Sequence, residues 1–174
     1  MPVIYSVQFE KIRFQQIINK MFRLLALIAL VPAILAQTPV QRCDNGAPLP
    51  EAVYFGGKDN FCTAPPCDVF RGSDGLTEVD FSSSFATNTI TPNIRARVFG
   101  IMITYQLPDD VQNNSCGVSL TSGSCPLAPG APTTFRLQMP VDPTSPRVST
   151  DVIFTLFGDN NVPIFCYRIA TRVV

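Results

Sequence analysis

Val148-Ser149-Thr150-Asp151-Val152-Ile153-Phe154-Thr155-Leu156, followed by Gly158-Asp159-Asn160-Asn161 and then Val162 to Val174, is the stretch that decides the fold. Val148, Thr150, Val152, Phe154 and Leu156 fall on one face, opposite Ser149, Asp151 and Thr155. Alternation with period two places one face on a core and the other toward water, which is the pattern of a β-strand. The Gly-Asp-Asn-Asn segment reads as a turn, and the strand pattern resumes after it with Pro163 at its start, where the missing N–H does no harm.

The same reading extends upstream. Val79, Phe81, Ser83 and Phe85 alternate with Glu78, Asp80, Ser82 and Ser84. Ile94, Ala96 and Val98 alternate with Arg95 and Arg97, and Phe135, Leu137 and Met139 with Arg136 and Gln138. Sixteen prolines and ten glycines punctuate the chain, a density that disfavours helices of ordinary length. Short strands at regular spacing predict an all-β fold, a sandwich or barrel of antiparallel strands. Two segments break the alternation, Val98-Phe99-Gly100-Ile101-Met102-Ile103 and Val152-Ile153-Phe154. Each fits either a strand covered on both sides or additional apolar surface for a ligand.

The chain of 174 residues, with no internal repeat, is expected to hold one domain after an N-terminal leader. Leu24 to Ala36 is an apolar run of 13 residues preceded by Lys20 and Arg23. It is shorter than the roughly 20 residues of a membrane span and suits a secretory signal peptide cleaved before Gln37. Residues 1–36 are therefore read as N-terminal extension and signal peptide, with Met21 as an alternative start, and residues 37–174 as the mature domain. The leader holds four of 13 basic residues and one of 13 acidic ones, so the remainder carries 9 against 12, a net of −3. A mildly acidic body argues against nucleic acid as a partner.

All six cysteines, Cys43, Cys62, Cys67, Cys116, Cys125 and Cys166, follow the leader. An even count in a small secreted chain reads as a disulfide framework, and no Cys-x-x-Cys pair or histidine supports zinc instead. Fifteen pairings are open to six cysteines. The short loops make Cys62–Cys67 and Cys116–Cys125 easy to close, and Cys43–Cys166 would then tie the ends of the domain together.

The chain has no histidine and no tryptophan. Without histidine there is no Ser-His-Asp or Cys-His arrangement, so no catalytic residue, metal or cofactor is assigned and an enzyme is not expected. Phe55-Gly56-Gly57-Lys58 departs from a phosphate-binding loop. Asp109-Asp110 after Pro108 reads as a solvated turn, and Asp159-Asn160-Asn161 as a plain hairpin turn rather than a calcium site. Asn113-Asn114-Ser115 is an acceptor sequon, with Asn113 the glycosylation candidate.

Several short motifs now converge. Pro66-Cys67-Asp68-Val69-Phe70-Arg71-Gly72 resembles the Pro-Cys-x-x-x-Lys/Arg-Gly segment of the ML-domain (MD-2-related lipid-recognition) family. Cys116, Cys125-Pro126-Leu127 and Gly130 resemble its Cys…Cys-Pro-Leu/Ile stretch, Met139-Pro140-Val141 its Leu-Pro-Val, and Gly158-Asp159 with Cys166 its closing turn and last cysteine. The resemblance runs from about Cys43 to Val174 and is nearest to the Niemann-Pick type C2 branch, which includes the group 2 mite allergens. It implies an immunoglobulin-like β-sandwich of two antiparallel sheets with an apolar cavity between them. It also implies the pairings Cys43–Cys166, Cys62–Cys67 and Cys116–Cys125, and binding of sterols or fatty acids without chemical change. Sterol-contacting positions of that branch fall on Leu107, Val141 and Ser145. Where the branch carries a tyrosine this chain has Ser145, which removes an aromatic wall from the cavity mouth and makes a fatty acid as well expected as a sterol.

The resulting expectation is a secreted, monomeric carrier working by apolar burial. Val79, Phe81, Phe85, Val98, Met102, Phe135, Leu137, Val141, Val152 and Phe154 would line a space between sheets splayed at one end. The ligand would be a sterol, fatty acid or other apolar small molecule, and the carrier would meet a receptor or membrane acceptor in extracellular fluid or the lysosomal lumen. The alternative is a module that presents a bound lipid in immune or chemosensory signalling.

Overall fold

The computed structural model describes residues 37–174. The expected signal peptide lies outside the described residues. Ten strands, one α-helix and a 3-10 turn follow in order: β1 (Gln41–Arg42), β2 (Ala52–Phe55), β3 (Cys67–Val69), β4 (Asp74–Ser82), β5 (Thr91–Val98), β6 (Ile101–Thr104), α1 (Asp109–Val118), β7 (Leu120–Ser122), β8 (Pro132–Pro140), β9 (Ser149–Phe157), the 3-10 turn (Asp159–Asn161) and β10 (Pro163–Val173). One sheet runs β1-β10-β9-β5-β6 with β3 also on β10, and the other runs β2-β4-β8-β7. The result is the expected two-sheet sandwich. Its pairs are antiparallel except β3 with β10, where Cys67–Val69 runs parallel to Thr171–Val173.

The β9–β10 hairpin is the one the opening stretch predicts. Phe154 pairs with Tyr167, Val152 with Ile169 and Thr150 with Thr171, so one face of both strands points inward together. The turn between them places Asn160 and Asn161 at φ of 58° and 57°, a left-handed backbone that asparagine tolerates better than most residues. Asp159 fastens this turn to the preceding loop. Its carboxylate accepts hydrogen bonds from the Asn88 and Thr89 amides, the Asn88 side chain and the Thr89 hydroxyl at 2.6–3.1 Å. These four donors lower its pKa to about 2.

Aromatic side chains fill the lower half of the sandwich. Phe154 lies 5.3 Å from Tyr167 and 5.7 Å from both Phe135 and Phe165, and Phe81 lies 5.1 Å from Phe165, ring centre to ring centre. All five are buried. The Tyr167 hydroxyl shares a hydrogen bond with Thr77 Oγ1 at 3.2 Å, joining the two sheets through the only polar atom of this cluster. Burial pushes the Tyr167 phenol far above its ordinary value, so it stays neutral.

Disulfides join Cys43 to Cys166, Cys62 to Cys67 and Cys116 to Cys125. The first closes a loop of 123 residues, and by chain entropy it contributes about 4–5 kcal/mol.

Two local readings change. Asp109-Asp110 is the first turn of α1 rather than a free turn. The ten residues from Asp109 contain no proline, acidic residues at a helix start match its dipole, and Cys116 ties the far end to Cys125. Val98–Ile103 is no continuous strand. It reverses at Phe99-Gly100, where φ is 50° and 81°, giving a two-residue hairpin between β5 and β6.

Candidate functional site

At the end of the sandwich opposite the β9–β10 turn, the sheets part and enclose a cavity of about 670 Å³. Strand register explains which residues reach it. Ile94 and Ala96 on β5, Thr150 and Val152 on β9, and Thr171 and Val173 on β10 stand on the inward face of one sheet, just above the aromatic fill. Phe55 on β2, Gly75 on β4 and Met139 on β8 contribute the opposite wall. Phe55, Ile94 and Thr171 are buried and form the floor.

The rim is built mostly from loops. Gly72 and Ser73 come from the β3–β4 connection, Asp74 is the first residue of β4, and Val141, Asp142, Pro143 and Ser145 come from the β8–β9 connection. Gly72 N–H donates to Val141 O at 2.8 Å and Val141 N–H to Ser73 O at 2.9 Å, so each loop holds the other. Gly72 sits at φ of +73°, a conformation costly for any residue with a Cβ. Asp142 Oδ1 accepts from the Thr144 amide at 2.7 Å and the Thr144 hydroxyl at 2.6 Å, and these bonds hold its carboxyl below the ordinary range.

Tyr105 closes one side. Its amide donates to Ile94 O at 2.8 Å, keeping it on the edge of the β5–β6 sheet. Its hydroxyl donates to Pro140 O at 2.7 Å in the other sheet. Partial burial, reinforced by the Asp74 carboxylate, raises its pKa.

Of the candidate lining residues, the structure brings three to the cavity: Val141, Ser145 and Val152. Phe81, Phe135, Leu137 and Phe154, with Val79, belong to the buried core below it, where neighbouring side chains occupy the room. Leu107 is also core, although the adjacent Tyr105 and Gln106 line the cavity. Phe85 is half-buried beside Thr87 and Gly158, near the opposite end. Val98 lies one step beyond Ala96 on the same face, past the lining. Met102 pairs with Arg97, on the outer face of an edge strand, and is exposed. Asn113 is exposed on α1, and the hydroxyl of the sequon's Ser115 donates to Val111 O.

Sequence reasoning did not single out Tyr105, Asp74, Asp142 or Thr171 for this site. For Thr171 a signal existed, since its pairing partner Thr150 shares the face of Val152. The loop residues carry no periodicity to read.

The β5–β6 hairpin projects beyond the cavity on the same end. Phe99 at its tip is 82% exposed, Ile101 67% and Ile103 50%. Phe70, on the loop that also supplies the rim, is 61% exposed. Large apolar side chains thus gather at the mouth, where water gives no reason for them.

The family model of the ML domain matches residues 37–173, all but the last residue of the described sandwich. The chain belongs to the ML-domain family. Among curated proteins, this ML domain is similar to "NPC intracellular cholesterol transporter 2" of Danio rerio, 24% identical over 156 residues that span 88% of this chain and 98% of the relative. The protein of the same name from Canis lupus familiaris is 24% identical over 114 residues, 66% of this chain and 72% of the relative. Among solved structures, the Niemann-Pick type C2 protein from Japanese carpenter ant superposes with a TM-score of 0.63 over 78% of this chain and 99% of that one, at 14% identity. That likeness establishes the shared sandwich fold.

Proposed function

We propose that this ML domain is a secreted carrier that holds one apolar small molecule, a sterol or long-chain lipid, between its sheets and passes it to a lipid surface unchanged. The observation that carries the reading is the contrast within one sandwich. Five aromatic rings fill one half, while the other half leaves about 670 Å³ open between mostly apolar walls. A volume of that size lies within the range of small-molecule pockets, roughly 300–1,000 Å³.

The energetics suffice. An apolar ligand burying about 300 Å² gains several kcal/mol at roughly 25 cal/mol per Å², before association entropy is subtracted. It also restores dispersion contacts that the open walls lack. No step in this cycle makes or breaks a covalent bond, and the reading assigns no catalytic residue. The exposed Phe99, Ile101 and Phe70 would enter a bilayer interface and place the mouth against it, giving the ligand an apolar exit path. Residues 1–36 would direct secretion, three disulfides suit the oxidising route that follows, and an N-linked glycan on Asn113 would sit on α1. Among the described residues no helix is long and apolar enough to cross a membrane.

The test is mass spectrometry of lipid extracted from protein isolated from its native source, paired with transfer of a fluorescent sterol between vesicles. A carrier yields a lipid extract and accelerates transfer. An empty protein that leaves transfer at the spontaneous rate contradicts the reading.

A further inference from the structure

The cavity has an asymmetric rim. Its floor is apolar at Phe55 and Ile94, and the Thr171 hydroxyl there donates to Thr150 O at 3.3 Å, so the hydrocarbon end of a ligand belongs inside and the polar end at the mouth. Among the described residues, the ionisable groups lining the cavity are two carboxylates, Asp74 and Asp142, and the Tyr105 phenol, with no lysine or arginine. The chain has no histidine to add a positive charge.

We infer that the cavity sorts long-chain ligands by the charge of their polar end, accepting protonated amines and neutral alcohols and disfavouring carboxylates. The inference rests on the carrier reading above and narrows its ligand class.

Among the described residues no ion pair engages either aspartate. Asp74 Oδ2 accepts a neutral hydrogen bond from Gln138 Nε2 at 2.9 Å, and Asp142 Oδ1 accepts from Thr144 alone. The ion pairs among the described residues join Lys58 to Asp80, Arg136 to Glu78, Arg168 to Asp44 and Arg172 to Asp68, and none involves either rim carboxylate. Because Thr144 favours its charged form, Asp142 remains an anion in mildly acidic solution. Arg147 and Arg172 line a neighbouring depression that meets the cavity at Val173, and Arg71 precedes Gly72 on the rim loop. None of the three guanidinium groups lines the cavity, and Arg172 is held by Asp68 at 2.7 Å.

A carboxylate head at this mouth would meet two like charges and lose part of its hydration without gaining a cation. An ammonium head would meet the same two charges as partners, and a hydroxyl would be indifferent to their sign. Tail burial is common to all three, so head charge alone sets the order.

The experiment displaces the neutral fluorophore N-phenyl-1-naphthylamine from the purified protein with hexadecylamine, hexadecanol and palmitate near pH 7, where the amine is protonated and the acid ionised. The expected order is amine at least equal to alcohol, and alcohol about tenfold tighter than palmitate, because exposed charges act through a high effective dielectric. The Asp74→Asn/Asp142→Asn variant is expected to bring palmitate within about threefold of the alcohol while leaving the alcohol unchanged. Salt tests the same point in the unaltered protein: raising it from about 20 mM to about 500 mM should compress the order, since screening shortens to a few ångströms. Palmitate binding as tightly as hexadecanol, or an order insensitive to salt, overturns the inference and leaves the carrier reading standing. Failure of all three to displace the fluorophore overturns both.

Discussion

The Tyr105 hydroxyl donates to the Pro140 carbonyl oxygen at 2.7 Å, tying the edge of one sheet to the last residue of a strand in the other, beside the cavity both residues line. Tyr105→Phe keeps the ring and removes this tie. A single hydrogen bond of this kind contributes about 1 kcal/mol, so urea unfolding should register a loss of that order. Stopped-flow release of a bound fluorescent sterol should accelerate about threefold, because loosening the sheet edge lowers the barrier to opening by a similar fraction of that bond. Unchanged release would mean that this side of the mouth stays shut while ligand leaves.

Two residues on one strand separate cavity from core. Val152 faces open space and Phe154 sits among Phe135, Phe165 and Tyr167. Val152→Phe adds volume where room exists, so stability should change by less than about 1 kcal/mol while ligand affinity collapses. Phe154→Ala opens a void in a packed cluster and should cost about 3–5 kcal/mol. Chemical denaturation and ligand titration of both variants check the contrast. Equal destabilisation would place Val152 in filled core.

Asp159 gives the fold a pH signature. Its folded pKa of about 2 lies below the unfolded 3.8, so its contribution is fully present above 3.8 and is lost as pH falls through about 2. The chain has no histidine, so thermal stability should be flat between about pH 5 and 7, where histidine is the usual titrating side chain. Asp159→Asn should lower the melting temperature throughout that plateau and converge with the parent protein below about pH 2. Calorimetry at stepped pH reads this directly, and a steep change between pH 5 and 7 would contradict it.

Phe99 and Ile101 are assigned to the lipid surface rather than to the ligand. Phe99→Asn suits the left-handed backbone there, and Ile101→Ser removes its neighbour's apolar surface. The double variant should slow sterol transfer to zwitterionic vesicles about tenfold, given some 1.5–3 kcal/mol for burying a large apolar side chain. Equilibrium affinity for the sterol should stay within about twofold, because neither residue lines the cavity. A matching loss of affinity and transfer would move the hairpin into the binding site.

The sandwich was readable because its strands advertise one buried face. Thr150, Val152, Phe154 and Leu156 alternate cleanly, and β9 and β10 pair in the register that pattern requires. Where along that face the core ends and the cavity begins was not readable. Phe154 and Val152 have the same period and the same orientation, and only the distance between sheets separates filling from lining. The hairpin at Phe99-Gly100 was hidden because an unbroken apolar run reads as a strand, and only Gly100 hints at the reversal. Asp142 lies on a loop and Asp74 opens β4 just after one, and both positions depend on pairing between distant segments such as Gly72 with Val141.

Whether an apolar guest occupies the space between the sheets is read by stoichiometric binding of radiolabelled cholesterol and hexadecanol. About one equivalent of ligand per protein is expected, the single-site limit, with near-complete loss of it in the Val152→Phe variant at unchanged fold stability. Binding that survives Val152→Phe, or no binding of either ligand by the parent protein, would contradict it.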